Sequence, residues 1–221
     1  MMKSPEEILE ELLEHYRILQ PLAEKLRRAY ELLVECYDQG GMVLCCGNGG
    51  SAADSEHIVG ELMKSFLLPR PLSGEMARRF SATLQGRKLA ENLQEAFPAV
   101  SLVSQSALLS AYANDVSPDM IYAQQVLGYG RNRPILLIAM STSGNSRNVV
   151  RAVQVASILD MPSIAITGAS GGELAGEATL CLKLPVEQTY QVQELTLPVY
   201  HALCAMTEAH YFATVSTSSS V

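Results

Sequence analysis

Two short stretches carry the residue types that hold an anion. Gly47-Asn48-Gly49-Gly50-Ser51 follows an apolar run and leads directly into a helical pattern. Glycines there let the backbone turn sharply and approach a ligand, and the start of the next helix offers free N–H groups to a negative charge. The spacing is not G-x-G-x-x-G, so a dinucleotide-binding turn gains little support. Ser141-Thr142-Ser143-Gly144-Asn145-Ser146 stands in the same position after another apolar run, with a helix expected from near Asn145. One hydroxyl satisfies an ordinary N-cap. Four within six residues, beside the positive end of a helix dipole, have the composition of a phosphate cradle.

A second set of residues suits proton or metal chemistry. His57 and Glu61 lie four apart in a helix expected over 51–66, so they share a face. That spacing serves either a shared divalent metal or a proton-transfer pair. Gln193, Glu194 and His201 lie in an apolar helical stretch near the C-terminus. Gln193 and His201 are eight residues apart, about 12 Å of helix rise. Pro198 between them is expected to bend or loosen the helix near Glu194.

The elements that must position these groups follow from periodicity. Ser4-Pro5-Glu6-Glu7 opens a helix with a hydroxyl cap, a proline at the first position and a glutamate to complete the box. Apolar residues then recur at helical spacing to Tyr37, with an interruption at Pro21 and a stop at Gly40-Gly41. This apolar face is expected to need a partner, which points to assembly through residues 1–40. Beyond Gly41, apolar runs at 42–46, 99–103, 134–140, 163–167 and 179–184 alternate with helical stretches. Strands apolar at every position are buried on both faces, so a parallel, doubly wound α/β sheet is expected, in one domain over 1–221. Ligands in such sheets bind at the carboxyl ends of the strands, where both anion loops fall. The segment 67–98 breaks the rhythm with Pro69, Pro71, Gly74 and Gly86, a helical look over 87–96, and five basic against three acidic side chains. It reads as an insertion. The Ser-rich tail 216–220 reads as frayed.

Composition narrows the function classes. The chain has 221 residues, 48% of them hydrophobic and 18% charged, enough for a sizeable core. A net charge of −7 argues against a nucleic-acid partner held by a broad basic surface. No apolar run approaches the roughly 20 residues of a membrane span, and the acidic N-terminus has no secretory pattern. Five cysteines without a C-x-x-C pair fit a reducing, cytoplasmic setting.

Taken in order, Gly47–Ser51, Asp54, His57, Glu61, Asn114-Asp115, Ser141–Ser146, Gln193-Glu194 and His201 resemble the D-sedoheptulose 7-phosphate isomerases (phosphoheptose isomerases) of the SIS sugar-isomerase superfamily. The resemblance spans residues 5–212 with 67–98 as a gap. It implies a flavodoxin-like SIS domain, a parallel five-stranded sheet flanked by helices. N-terminal helices would build a homotetramer with active sites between subunits. It implies that Asn48, Gly49, Gly50, Ser51, Asn114, Asp115 and Gln193 bind the sugar, and that Ser141, Thr142, Ser143 and Ser146 hold the phosphate. His57, Glu61, Gln193 and His201 would bind one zinc per subunit or move protons, with Glu61 as base and His201 as acid. Three features depart from the family pattern: the insertion, Lys64-Ser65 where a basic residue is shifted, and Pro198. The alternative is a non-catalytic SIS module that senses sugar phosphates or associates with a replication initiator. The presence of Glu61, Gln193 and His201 together favours the enzyme.

Overall fold

The computed structural model describes residues 3–131 and 133–213; the tail at 216–220 lies outside them. Ser4 forms both halves of the expected capping box. Its hydroxyl accepts from the Glu7 amide at 3.2 Å and its own amide donates to the Glu7 carboxylate at 2.7 Å. Helix α1 (Pro5–His15) follows. Pro21 sits in a 3-10 turn, Arg17–Leu22, before α2 (Ala23–Asp38). Gly40, at φ +69°, ends the hairpin.

The sheet holds β1 (Met42–Cys46), β2 (Ala99–Ser101), β3 (Ile135–Met140), β4 (Ser163–Thr167) and β5 (Leu180–Lys183). All pairings are parallel, in the order β2-β1-β3-β4-β5. Alternate residues serve opposite cores. Val43, Cys45, Leu136, Ile138 and Met140 face α1, α2, α3 (Gly50–Met63) and α10 (Thr189–Phe212). Met42, Leu44, Leu137 and Ala139 face α7 (Ile121–Gly130) and α8 (Arg147–Ile158). The chain order reverses between β1 and β3, and a crevice opens there at the strands' carboxyl ends.

Several expectations shift. Leu9, Leu12, Leu26, Ala29 and Leu33 are buried inside the chain, where α1 and α2 pack on α10 and the sheet. Most of that apolar face therefore finds its cover within one copy, while Ile8 stays half-buried and Tyr16 exposed. In the segment 67–98, α4 (Gly74–Ser81) and α5 (Leu84–Ala90) replace the single helix expected over 87–96. The Thr83 hydroxyl accepts from the Gly86 amide and starts α5 early. An isolated Pro71–Gln94 bridge closes the base of the excursion. The helix expected over 51–66 ends at Met63. Helix α10 runs unbroken through Pro198. The carbonyl this proline strands belongs to exposed Glu194, which water can serve, while Val199, Tyr200 and Leu203 bury the following turn.

Candidate functional site

The two anion loops meet at the switch point. Asn48, Gly49, Gly50, Ser51, Met140, Ser141, Thr142, Ser146, Thr189 and Gln193 line a cavity of about 310 Å³. That is near the lower end of small-molecule sites. No lining side chain is charged, so an anion here would be held by hydroxyls, amides and helix termini. Two glycines are needed for shape. A Cβ on Gly47 would stand 2.6 Å from the Ser51 carbonyl oxygen, and one on Gly144, at φ +68°, would overlap the backbone of Gly171.

Side chains hold the loops open. The Asn48 amide exchanges hydrogen bonds with Asn148 at 2.8 and 2.9 Å and accepts from the Tyr122 hydroxyl at 3.2 Å. Tyr122 also donates to the Gly47 carbonyl at 2.7 Å, and burial pushes its phenol up to about 12. The Ser141 and Ser146 hydroxyls lie 2.9 Å apart. Ser146 is the N-cap of α8, yet its side chain makes no capping bond. The Ser141 hydroxyl also accepts from the Ser146 amide at 3.4 Å, so it steadies the residue that opens α8. Ser143 turns away: its hydroxyl accepts from the Asn145 amide, and it does not line the cavity.

The second site lies where α3 crosses α10. His57 Nε2 is 3.1 Å from Glu61 Oε1 and 3.4 Å from His201 Nε2. His57 Nδ1 meets the Tyr200 hydroxyl at 2.8 Å, and that hydroxyl donates to Asp54 at 3.4 Å. Lys64 reaches Glu61 Oε2 at 2.8 Å, so the shifted basic residue still pairs with the carboxylate. Burial draws the Glu61 carboxyl upward, but Lys64 and His57 outweigh it and hold it below the usual range. His201 is lowered, first by burial and then by His57, which favours a neutral imidazole. Burial also keeps the Tyr200 phenol well above its ordinary value.

The expected residues thus divide. Asn48, Gly49, Gly50, Ser51, Ser141, Thr142, Ser146 and Gln193 share the cavity, while His57, Glu61 and His201 form the cluster. Gln193 stands against Gly50 in the cavity wall rather than with the other expected metal donors. Asn114 and Asp115, exposed at the end of α6 (Ser106–Asp115), bond to each other and line neither. His201 keeps its place despite Pro198. Tyr122, Asn148, Thr189 and Tyr200 were not singled out from the sequence. Only Asn148, two residues beyond Ser146, and Tyr200, next to His201, carried a positional hint. Among the described residues, no group of three His, Cys, Asp or Glu is already disposed to hold a metal. The donor types of the cluster nevertheless suit zinc: two imidazoles and a carboxylate, with His57 within reach of both Glu61 and His201 and a hydroxyl on its far nitrogen.

Known proteins resemble this chain in sequence and fold. Family models described as SIS domain match residues 9–97 and 99–212. A phosphoheptose isomerase of Thiobacillus denitrificans is 37% identical over 186 residues, 83% of this chain and 82% of that protein. The structure of phosphoheptose isomerase GmhA from Neisseria gonorrhoeae superposes with a TM-score of 0.69 at 30% identity, covering 92% of this chain and 98% of that one. That of a phosphoheptose isomerase from Francisella tularensis gives 0.71 at 27% identity, covering 90% and 93%. With the β2-β1-β3-β4-β5 sheet, the two loops at its switch point and this degree of identity, the chain belongs to the phosphoheptose isomerase family of SIS-domain proteins.

Proposed function

We propose that this protein is a sugar-phosphate isomerase that interconverts sedoheptulose 7-phosphate and D-glycero-D-manno-heptose 7-phosphate. The observation that carries the reading is the cluster of His57, Glu61 and His201, two helical turns beyond the phosphate cavity on both α3 and α10. Gly50 to His57 and Gln193 to His201 each rise about 10–12 Å. A substrate with its phosphate at one end and its reacting carbons at the other suits that offset.

The reaction moves a proton between neighbouring carbons through an enediolate. In this reading Ser141, Thr142 and Ser146 bind the phosphate, and Gln193 and Asn48 orient the chain. Glu61, kept ionised by Lys64, takes the proton. His201, held neutral, donates a hydrogen bond to the developing oxyanion. Tyr200 fixes the ring of His57. Zinc, one per subunit, would be held by His57, Glu61 and His201, and when bound it supplies Lewis-acid polarisation of the carbonyl. Assembly into a homotetramer belongs to the same proposal. The groove lined by Ile8, Tyr16, Phe66, Leu67 and His201 is where a second copy would border the cluster.

The binding-module reading has one observation in its favour: the Lys64 ion pair lowers the basicity of Glu61. Turnover of sedoheptulose 7-phosphate by purified protein of known zinc content decides between them. Conversion abolished by Glu61→Gln supports the isomerase. Phosphate-sugar binding with no conversion at any zinc level supports the module.

A further inference from the structure

Among the described residues, one ion pair has both side chains wholly buried, and it lies outside the acid–base cluster. Arg70 Nε is 2.6 Å from Glu208 Oε1. Arg70 Nη1 donates to the Leu62 carbonyl at 2.7 Å and Nη2 to the Glu61 carbonyl at 3.0 Å. Those carbonyls belong to the last turn of α3, which lacks intrahelical partners and favours a cation. The guanidinium also lies over the Phe97 ring, 4.6 Å from its centroid. Glu208 is equally saturated, accepting from the amides of Phe66, Leu67 and Leu68 at 2.6–2.8 Å besides Arg70.

A buried ion pair is a poor source of stability, since well-packed apolar side chains often do as well. What apolar groups cannot supply is direction. The planar fork of arginine reads two carbonyls on one helix while bonding a carboxylate on another. The first helix carries His57 and Glu61. The second carries His201, seven residues and about two turns before Glu208. The segment Phe66–Leu68, which follows the first helix, is held by the same node, and its Phe66 ring packs against His201 with centroids 5.4 Å apart.

We infer that Arg70 and Glu208 are positioning residues that set Glu61 and His201 at their working separation across α3 and α10. The inference rests on the acid–base roles proposed above. Its test uses full-length protein supplied with zinc and the variants Arg70→Lys, which keeps the charge, and Glu208→Gln, which keeps the shape. Melting curves verify folding, steady-state kinetics on sedoheptulose 7-phosphate give kcat and KM, and nuclear magnetic resonance follows the imidazole signals of His57 and His201. The expected result is a folded variant whose kcat drops on the order of 10²-fold, the scale of a small misplacement of reacting groups. KM should stay unchanged because the phosphate cavity is elsewhere, and the imidazole signals should move. Arg70→Lys keeps the charge but loses the fork, so it should not rescue kcat. A folded variant with wild-type kcat and unmoved imidazole signals overturns the inference. Should the wild type show no turnover, the proposed function fails. The imidazole signals then decide the positioning role alone, with moved signals supporting it and unmoved ones overturning it.

Discussion

The loop-lined cavity and the His57 cluster are built in opposite ways. Each half of the cavity is a contiguous loop that leaves a strand and opens a helix, and the halves meet because β1 and β3 are neighbours. It contains no charged side chain and relies on hydroxyls, amides and glycine geometry. The cluster joins the middle of α3 to the middle of α10, residues 144 apart in the chain, and is dense with titratable groups. On the proposed reading, binding is thus written into local chain direction, and proton chemistry into helix packing. Damage to one site should leave the other largely intact.

The largest effect should come from Glu61→Gln, which keeps size and hydrogen bonding while removing basicity. General-base catalysis is commonly worth 10²–10⁴-fold. Turnover should fall by at least about a hundredfold while sugar-phosphate affinity, measured calorimetrically, is kept. Loss of both together would merge the two sites and defeat the comparison. Next is Gly144→Ala. A side chain there is strained at φ +68° and overlaps Gly171, so a stability loss of about 1–3 kcal/mol in thermal melts, with weakened phosphate binding, is expected.

Ser141→Ala should weaken sugar-phosphate binding by about 1–3 kcal/mol, with kcat little changed. Ser143→Ala should do far less, because its hydroxyl serves the Asn145 amide outside the cavity. Equal losses for the two serines would show that the loop rearranges on binding. The smallest effect concerns pH. His201 is depressed below 6.5 in the folded state, so the unfolded chain binds the extra proton first as pH falls. Its stabilising contribution is complete above about pH 6.5 and is lost as pH falls toward the folded value. In metal-free protein the drop in melting temperature between about pH 7.5 and 5.5 should shrink in His201→Gln. An unchanged drop would assign the acid sensitivity to other groups.

Much of this was legible beforehand for identifiable reasons. All five strands were located within two residues, since their runs are apolar except for Ser101, Ser163, Thr167 and Lys183 at strand ends. The Ser4 capping box was legible because capping is local. The His57–Glu61 pairing followed from helical spacing alone. Ser143 and Asn114-Asp115 stand outside the cavity of the single copy because side-chain direction in a turn, or at a helix end, is not a property of residue type. Pro198 does not end the helix, because its cost depends on the surroundings of the stranded carbonyl, here that of the exposed residue Glu194.

By itself, then, the sequence determined what depends on neighbours in the chain. That covers the strands and their alternation with helices, the glycine turns at 47 and 144, the hydroxyl-rich loop, and the shared face of His57 and Glu61. Tertiary structure alone decided which distant groups meet. It covered the apolar face of α1 and α2 with α10, and it set Tyr122 and Asn148 against Asn48. It also brought His201 to His57 and drove Arg70 onto Glu208 beneath them. The physical reason is range. Capping, turn geometry and periodicity act over a few residues, whereas packing of α3 on α10 is chosen by the free energy of the whole core.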